Sequence, residues 1–394
     1  MRVRGIRLGA GVAVVMALAL AAGRWEPVAA GGPGNGTGSG YRVFKPIESG
    51  DLTLFPVVRD DGKAPPGDQF LTLDEGLKSG EVEVTEAGNV RGLVRSRGGA
   101  PVQRYQGDQV NTLVLVNNSK RPLLLLAGEI VTGGKQDRII AKDRIVPAGA
   151  EPIDLSVFCI EHGRWTESSD KFGTSAKAAN QSIMVQPTVR QQAMVAKDQQ
   201  QVWNSVSGAI GGMAKAAAPA SGVYGGTGNT NLNTTSYAKA VQSQSVAAKV
   251  DEEAAGVVKS REQALDTLRQ EHAVGVVVAV RGEVIWADIF FDPGLLARYW
   301  IKLVRSYAAE GLESGGAHGS ASMADAQRFL DTPTQGTEDS QGEVGVYRCM
   351  EVKSGGTDLF TLEALLPGTG YDVHISRVKL RGQSPSVPQM RPVF

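Results

Sequence analysis

The chain has little of what most directly carries chemistry or charge-driven recognition. Among 394 residues there are 2 Cys and 4 His, 6% are aromatic, and 41 Lys and Arg balance 41 Asp and Glu to a formal net charge of zero. Two cysteines exclude a small scaffold stapled by disulfides. The histidines, at 162, 272, 318 and 374, form neither a His-Glu-x-x-His pattern nor a pair at metal-ligand spacing, and Cys159 beside His162 lacks further ligands of the right type. No metal and no cofactor is therefore expected. Balanced charge with few aromatics removes the footprint of a nucleic-acid binder, so no nucleic-acid partner is expected either. A chain of this length is long enough to bury a sizeable core.

The one long apolar run, Leu8 to Ala22, follows Arg2, Arg4 and Arg7 and precedes small residues ending in Val28-Ala29-Ala30. That order predicts a secretory signal peptide over residues 1–30, export to a periplasmic or extracellular site, and no membrane span once the segment is removed; an uncleaved anchor is the alternative. In an oxidising compartment Cys159 and Cys349 are either a long-range bridge or two core thiols, since each lies in an apolar strand-like run.

What is abundant is glycine: 49 Gly with 18 Pro, above the roughly 12% of average usage. Residues 31–40 are almost wholly Gly, Pro, Asn, Ser and Thr and read as a flexible linker. From 41 to 380 the patterning predicts a single α+β domain, β-rich in two halves with a helical segment between them and a flexible low-complexity loop. Strands are expected over 52–58, 81–86, 111–116, 123–131, 138–140 and 155–160, with a short helix at 73–79 stopped by Gly80. Between 168 and 270 the composition turns to Ala, Gln, Ser and Lys. Val195, Val202, Trp203, Val206, Ile210 and Met213 then share one helical face, which predicts a helix over 188–218, a disordered tip near 219–235, and further helix over 236–249 and 252–270. Arg281-Gly282 between two valine-rich runs signals a hairpin. Asp292-Pro293 ahead of Leu295, Leu296, Tyr299, Trp300, Leu303, Val304 and Tyr307 signals a core helix ending at Gly311, and a short helix follows at 323–330. Strands at 344–352, 359–365 and 371–380 close the domain, and 381–394 reads as a disordered tail. No repeat at a fixed period is visible.

Several familiar motifs fail. Gly128 and Gly133 have P-loop spacing, but Gly134 stands where the lysine belongs and no Ser or Thr follows Lys135. Ser168-Ser-Asp-Lys171 has the Ser-x-x-Lys form without a Ser-Asp-Asn partner, and there is no Gly-x-Ser-x-Gly elbow. Two polar stretches remain. In the first, an apolar strand delivers Glu129, and a Gly133-Gly134 turn then presents Lys135, Gln136, Asp137 and Arg138. Paired glycines let backbone N–H groups approach a ligand, and the cations suit an anionic group. In the second, strand residues 157–160 run out into Glu161, His162, Arg164 and Trp165, which could supply a base, a charge clamp and a stacking face. Each also has a plain structural reading, as a solvated hairpin turn and as a packed strand end. A functional reading needs the two to meet.

Taken in order, Leu71 to Gly80 with Val84-Thr-Glu86, Ala127-Gly-Glu129, Gly133 to Arg138, Phe158 to Trp165, and the Val277–Phe290 hairpin with its Tyr299-Trp300 helix resemble the ADP-ribosylglycohydrolase-and-rhodanese-phosphatase-associated protein domain. The likeness runs from about Tyr41 to Leu312 and more weakly to Leu380. It departs at Gly76, where the family helix tends to carry Ala, and in the Ala/Gly/Asn-rich stretch near 215–235. The family is named for the domains it accompanies, so the resemblance implies a shared site at the two stretches and assigns no reaction. The leading expectation is a domain that recognises a small anionic or nucleotide-like ligand through Gly133, Gly134, Lys135, Gln136, Asp137, Arg138, Arg164 and Trp165. One alternative is a metal-independent hydrolase with Glu161 or Glu129 as general base, His162 assisting, and Lys135 and Arg138 stabilising developing negative charge. Another is an envelope structural protein with a protein partner on its helical segment.

Overall fold

The computed structural model describes residues 39–60, 69–89, 108–174, 183–218, 232–254, 257, 272–313 and 319–380. The expected signal peptide, nearly all of the linker, most of the low-complexity tip, most of the helix expected over 252–270 and the tail lie outside these residues. The chain opens with β1 (Tyr41–Val43), β2 (Ile47–Ser49) and β3 (Leu52–Arg59), followed by β4 (Leu71–Thr72), α1 (Leu73–Ser79) and β5 (Val82–Glu86). Seven strands follow: β6 (Thr112–Asn117), β7 (Leu123–Leu125), β8 (Ile130–Thr132), β9 (Arg138–Ile140), β10 (Arg144–Val146), β11 (Ala150–Cys159) and β12 (Gly173–Thr174). Helices α2 (Pro187–Gln191), α3 (Gln199–Ala216), α4 (Tyr237–Gln242) and α5 (Gln244–Glu253) come next. The last part holds β13 (Gly275–Val280), β14 (Glu283–Phe290), α6 (Pro293–Glu313), α7 (Met323–Asp331), β15 (Thr337–Glu343), β16 (Tyr347–Lys353), β17 (Thr357–Ala364) and β18 (Tyr371–Lys379).

The class is α+β, as the patterning predicts, but the halves interleave. A nine-stranded sheet runs β1-β3-β13-β14-β18-β17-β16-β15, with β2 also on β3, so the first strands of the chain pair with the last. A six-stranded sheet, β12-β8-β9-β11-β6-β5, and a three-stranded one, β10-β7-β4, use the intervening strands. β13 is buried along its whole length. Val276, Val278 and Val280 belong to the core under the helices, and Val277 and Ala279 to the core under α7, the period-2 alternation of a sheet covered on both faces. Arg281 and Gly282 both take positive φ, 52° and 83°, as a two-residue hairpin turn with the right twist requires. The predicted α6 stripe is entirely buried, from Leu295 through Trp300 to Tyr307. Each such side chain contributes about 1.5–3 kcal/mol on burial.

Some expectations need correction. The 188–218 helix is three pieces: α2, a π-turn over Gln192–Ala196, and α3. Lys197 takes a left-handed conformation, φ 54°, and Asp198 starts the next helix by accepting from Gln201 N–H at 2.9 Å. The helix expected over 236–249 is α4 and α5, divided at Ser243, whose backbone is extended. Gly311 does not end α6, which continues to Glu313; its missing side chain makes room for Glu253, whose Oε1 would lie 3.2 Å from a Cβ there. Gly76 has a similar reason, because a Cβ would sit 2.4 Å from Val82 Cγ2 on the neighbouring strand. Both cysteines are free, Cys159 Sγ donating to Val110 O and Cys349 Sγ to Asp143 O, each at 3.3 Å.

Candidate functional site

The two polar stretches meet. β9 and β11 are antiparallel neighbours with Arg138 opposite Cys159, so the turn before β9 and the residues after β11 emerge at the same sheet end. Asp137 O accepts from Ile160 N–H at 3.0 Å, and Gln136 Nε2 donates to Glu161 O at 2.8 Å. Arg164 folds back over the turn, donating to Gly134 O at 2.8 Å, to Glu161 Oε2 from Nη2 at 2.6 Å, and lying 3.5 Å from Asp137 Oδ1. Residues of α4 complete the network: Lys239 Nζ donates to Glu161 Oε1 and Ser236 Oγ to Asp137 Oδ2, at 2.8 and 2.7 Å.

The turn's own anion-binding capacity is used internally. Gly133 N–H donates to Asp137 Oδ1, Gly134 N–H to Ser169 Oγ and Lys135 N–H to Glu86 Oε1. The glycines admit a neighbouring part of the same chain: a Cβ on Gly134 would lie 2.3 Å from Phe172 Cζ, and one on Gly133 2.5 Å from Ser169 Oγ. This corrects the expectation that those N–H groups face a ligand. Gln136, Asp137 and Arg138 are buried as well, with Arg138 donating to Gln136 O at 2.6 Å and lying 3.8 Å from Glu86 Oε1. Trp165, by contrast, is 45% exposed, with Lys135 Nζ 5.4 Å and Arg138 Cζ 5.8 Å from its ring centroid. Lys135 is half-buried and also pairs with Asp108 at 2.6 Å.

The proposed acid–base groups are placed less favourably. Burial pushes the Glu161 carboxyl upward, but hydrogen bonds from Arg164, Lys239 and the Asp137 N–H outweigh it and hold the group below the ordinary carboxylate range. His162 is exposed and packs edge-on against Trp203 at 4.6 Å between centroids. Glu129 belongs to a different cluster. It is fully buried, accepts from Leu126 N–H and Lys302 Nζ at 2.7 Å each, and shares Lys302 with Asp74. Burial pushes its carboxyl above the ordinary range despite Lys302, but it has no face to water.

Sequence reading missed Glu86, Asp108, Ser169, Ser236 and Lys239. One signal for Glu86 was available: in Val82-Glu-Val-Thr-Glu86 the alternation puts the last carboxylate on the buried face with Val82 and Val84. It also missed a closed chain of charge through the nine-stranded sheet. Asp143 Oδ2 meets His374 Nδ1 at 2.6 Å, and His374 Nε2 lies 3.2 Å from Asp288 Oδ1. Asp288 also accepts from Arg190 at 2.8 Å, Ser376 at 2.8 Å and Tyr307 at 2.5 Å. Burial disfavours a charged His374, yet its two carboxylates raise it to about 9. Among the described residues no helix is long and apolar enough to cross a membrane.

Order and spacing of these segments define a known class. The family model of the ARG and Rhodanese-Phosphatase-superfamily-associated Protein domain matches residues 40–378. The chain belongs to that family, whose function is not known. No curated protein and no solved structure matches it.

Proposed function

We propose that the chain is an exported recognition domain for a small anionic or nucleotide-like ligand, and that it binds rather than transforms that ligand. The observation that carries the reading is Trp165, an indole left 45% exposed beside the buried carboxylates Glu161 and Asp137, with two cations within 6 Å of its ring. Such a face suits a planar ring stacked on the indole and an anionic group beside Lys135. The buried ion pairs of Glu161, Arg164 and Asp137 act as a clamp that fixes Trp165 and the Lys135 backbone. The depressed Glu161 carboxyl, already shared by two cations, is poorly suited to take a proton as general base.

Calorimetric titration of AMP, ADP-ribose and inorganic phosphate into the purified chain tests this. Binding of a nucleotide is expected, with Trp165→Ala and Lys135→Ala each weakening it about tenfold or more while the melting temperature stays within a few degrees. Absence of binding by all three probes, or a Trp165→Ala variant that binds as well as wild type, would overturn the reading. Turnover of a probe would favour the hydrolase instead.

A further inference from the structure

A second recess lies where β11, the π-turn 192–196 and strands β15 to β17 come together. It encloses about 300 Å³, the lower end of the range for small-molecule sites. Phe158 from β11, Ala193 and Met194 from the π-turn and Phe360 from β17 give it an apolar wall. An unbranched thioether beside two rings adapts to the shape of an occupant. Cys349 also lines it, but burial pushes its thiol up to about 12, so it packs there without serving as a nucleophile.

The charged groups on the lining close on one another. Lys197 meets Glu351 at 2.5 Å, and Asp143 meets His374 at 2.6 Å. His374 is raised to about 9 and so is a cation at neutral pH. Lys142 Nζ donates to Gln341 Oε1 at 2.7 Å, and the same amide donates from Nε2 to Asp339 at 3.1 Å, so one side chain joins a lysine to a carboxylate. Three positive groups thus stand against three carboxylates, and a charged occupant of either sign would have to break into this set or stay unmatched in an apolar recess. Polar side chains of the lining that have no partner among the described residues are uncharged: Ser156 shares the Phe158 face of β11, and Asn111 lies beside that strand, its O accepting from Val157 N–H at 3.1 Å. We propose that this recess binds a small uncharged amphiphile, its alkyl body among Phe158, Ala193, Met194 and Phe360 and a single hydroxyl on Ser156. This site is separate from the Trp165 face, and its test uses different probes and variants.

Octan-1-ol, octanoate and octyltrimethylammonium are titrated into the full chain, followed by calorimetry and by NMR of ¹³C-methyl-labelled methionine. Octan-1-ol is expected to shift the Met194 methyl signal, identified by its loss in Met194→Leu, and to bind at least tenfold more tightly than either charged compound. Ser156→Ala should weaken octan-1-ol about fivefold and leave the melting temperature unchanged. Ala193→Leu, which fills the recess, should abolish binding. The proposal is overturned if octan-1-ol fails to bind, if either charged compound binds equally well, if Ser156→Ala binds as tightly as wild type, or if the Met194 signal stays still on saturation. The NMR readout on the unaltered chain decides the matter even where the filling variant does not fold.

Discussion

The network around Glu161 and the one around Asp288 are both built from a carboxylate, an arginine and a hydroxyl donor, yet they meet water differently. At the end of the six-stranded sheet the cations reach outward: the Arg164 side chain is 20% exposed and that of Lys239 61%. In the nine-stranded sheet Asp288, His374 and Ser376 are wholly buried and Arg190 nearly so. A half-solvated pair loses little when broken, because water replaces the missing partner. Removing one member of a closed pair strands the other in a medium that cannot solvate it. The exposure of the cation, more than the number of ion pairs, decides which cluster holds the fold and which holds a surface feature in place.

Three perturbations separate the two, from the largest effect down. Asp288→Ala should cost about 3–5 kcal/mol in urea unfolding, because it leaves Arg190 and His374 buried without their shared carboxylate; a loss below 1 kcal/mol would erase the contrast. The second is a pH effect. His374 is raised from its ordinary 6.5 to about 9, so the stability it contributes is fully present below pH ~6.5 and is lost as pH rises through about 9. Unfolding free energy should therefore fall by an amount on the order of 2 kcal/mol between pH 6.5 and 9.5, and His374→Gln should flatten that slope; an equal slope in the variant would show that other groups cause it. The smallest effect belongs to Arg164→Ala, about 1–2 kcal/mol by the same urea measurement, since Arg164 itself is partly in solvent and its buried partners Glu161 and Asp137 keep Lys239 and Ser236.

The same contrast explains what the chain discloses on its own. α1 is readable to the residue because its signals are local: Thr72 and Glu75 form a reciprocal capping box, and Gly80 closes the helix at φ 75°. The hairpin around Arg281-Gly282 and the start of α6, where Asp292 Oδ1 accepts from Gly294 N–H at 2.7 Å, are local in the same way. The convergence of the Gly133–Arg138 and Glu161–Trp165 stretches could be framed as a condition, and β9 against β11 meets it. What stays illegible is assembled from afar. The run 123–131 looks like one strand, but Gly128 at φ 87° turns the chain, so β7 and β8 enter different sheets. The Asp288 cluster draws Arg190 from α2, Tyr307 from α6, and His374 and Ser376 from β18, and none of these positions carries a motif. The exposed polar strand β15, Thr-Glu-Asp-Ser-Gln-Gly-Glu, has no apolar alternation to betray it and owes its form to its pairing with β16.

The pairing of β3 with β13 reaches beyond architecture to how this molecule comes into being. Leu52, Leu54 and Phe55, all without solvent contact in the finished protein, have only β1 and β2 beside them, and nothing along the other edge of their strand, until the ribosome has delivered the Gly275–Val280 stretch. Until then they are a sticky ribbon with one open edge, and closing so wide a loop is slow. Dissecting the chain at its midpoint would thus yield two fragments that each expose half of a seam, and joint expression of the two, rather than either alone, is the arrangement in which solubility should return.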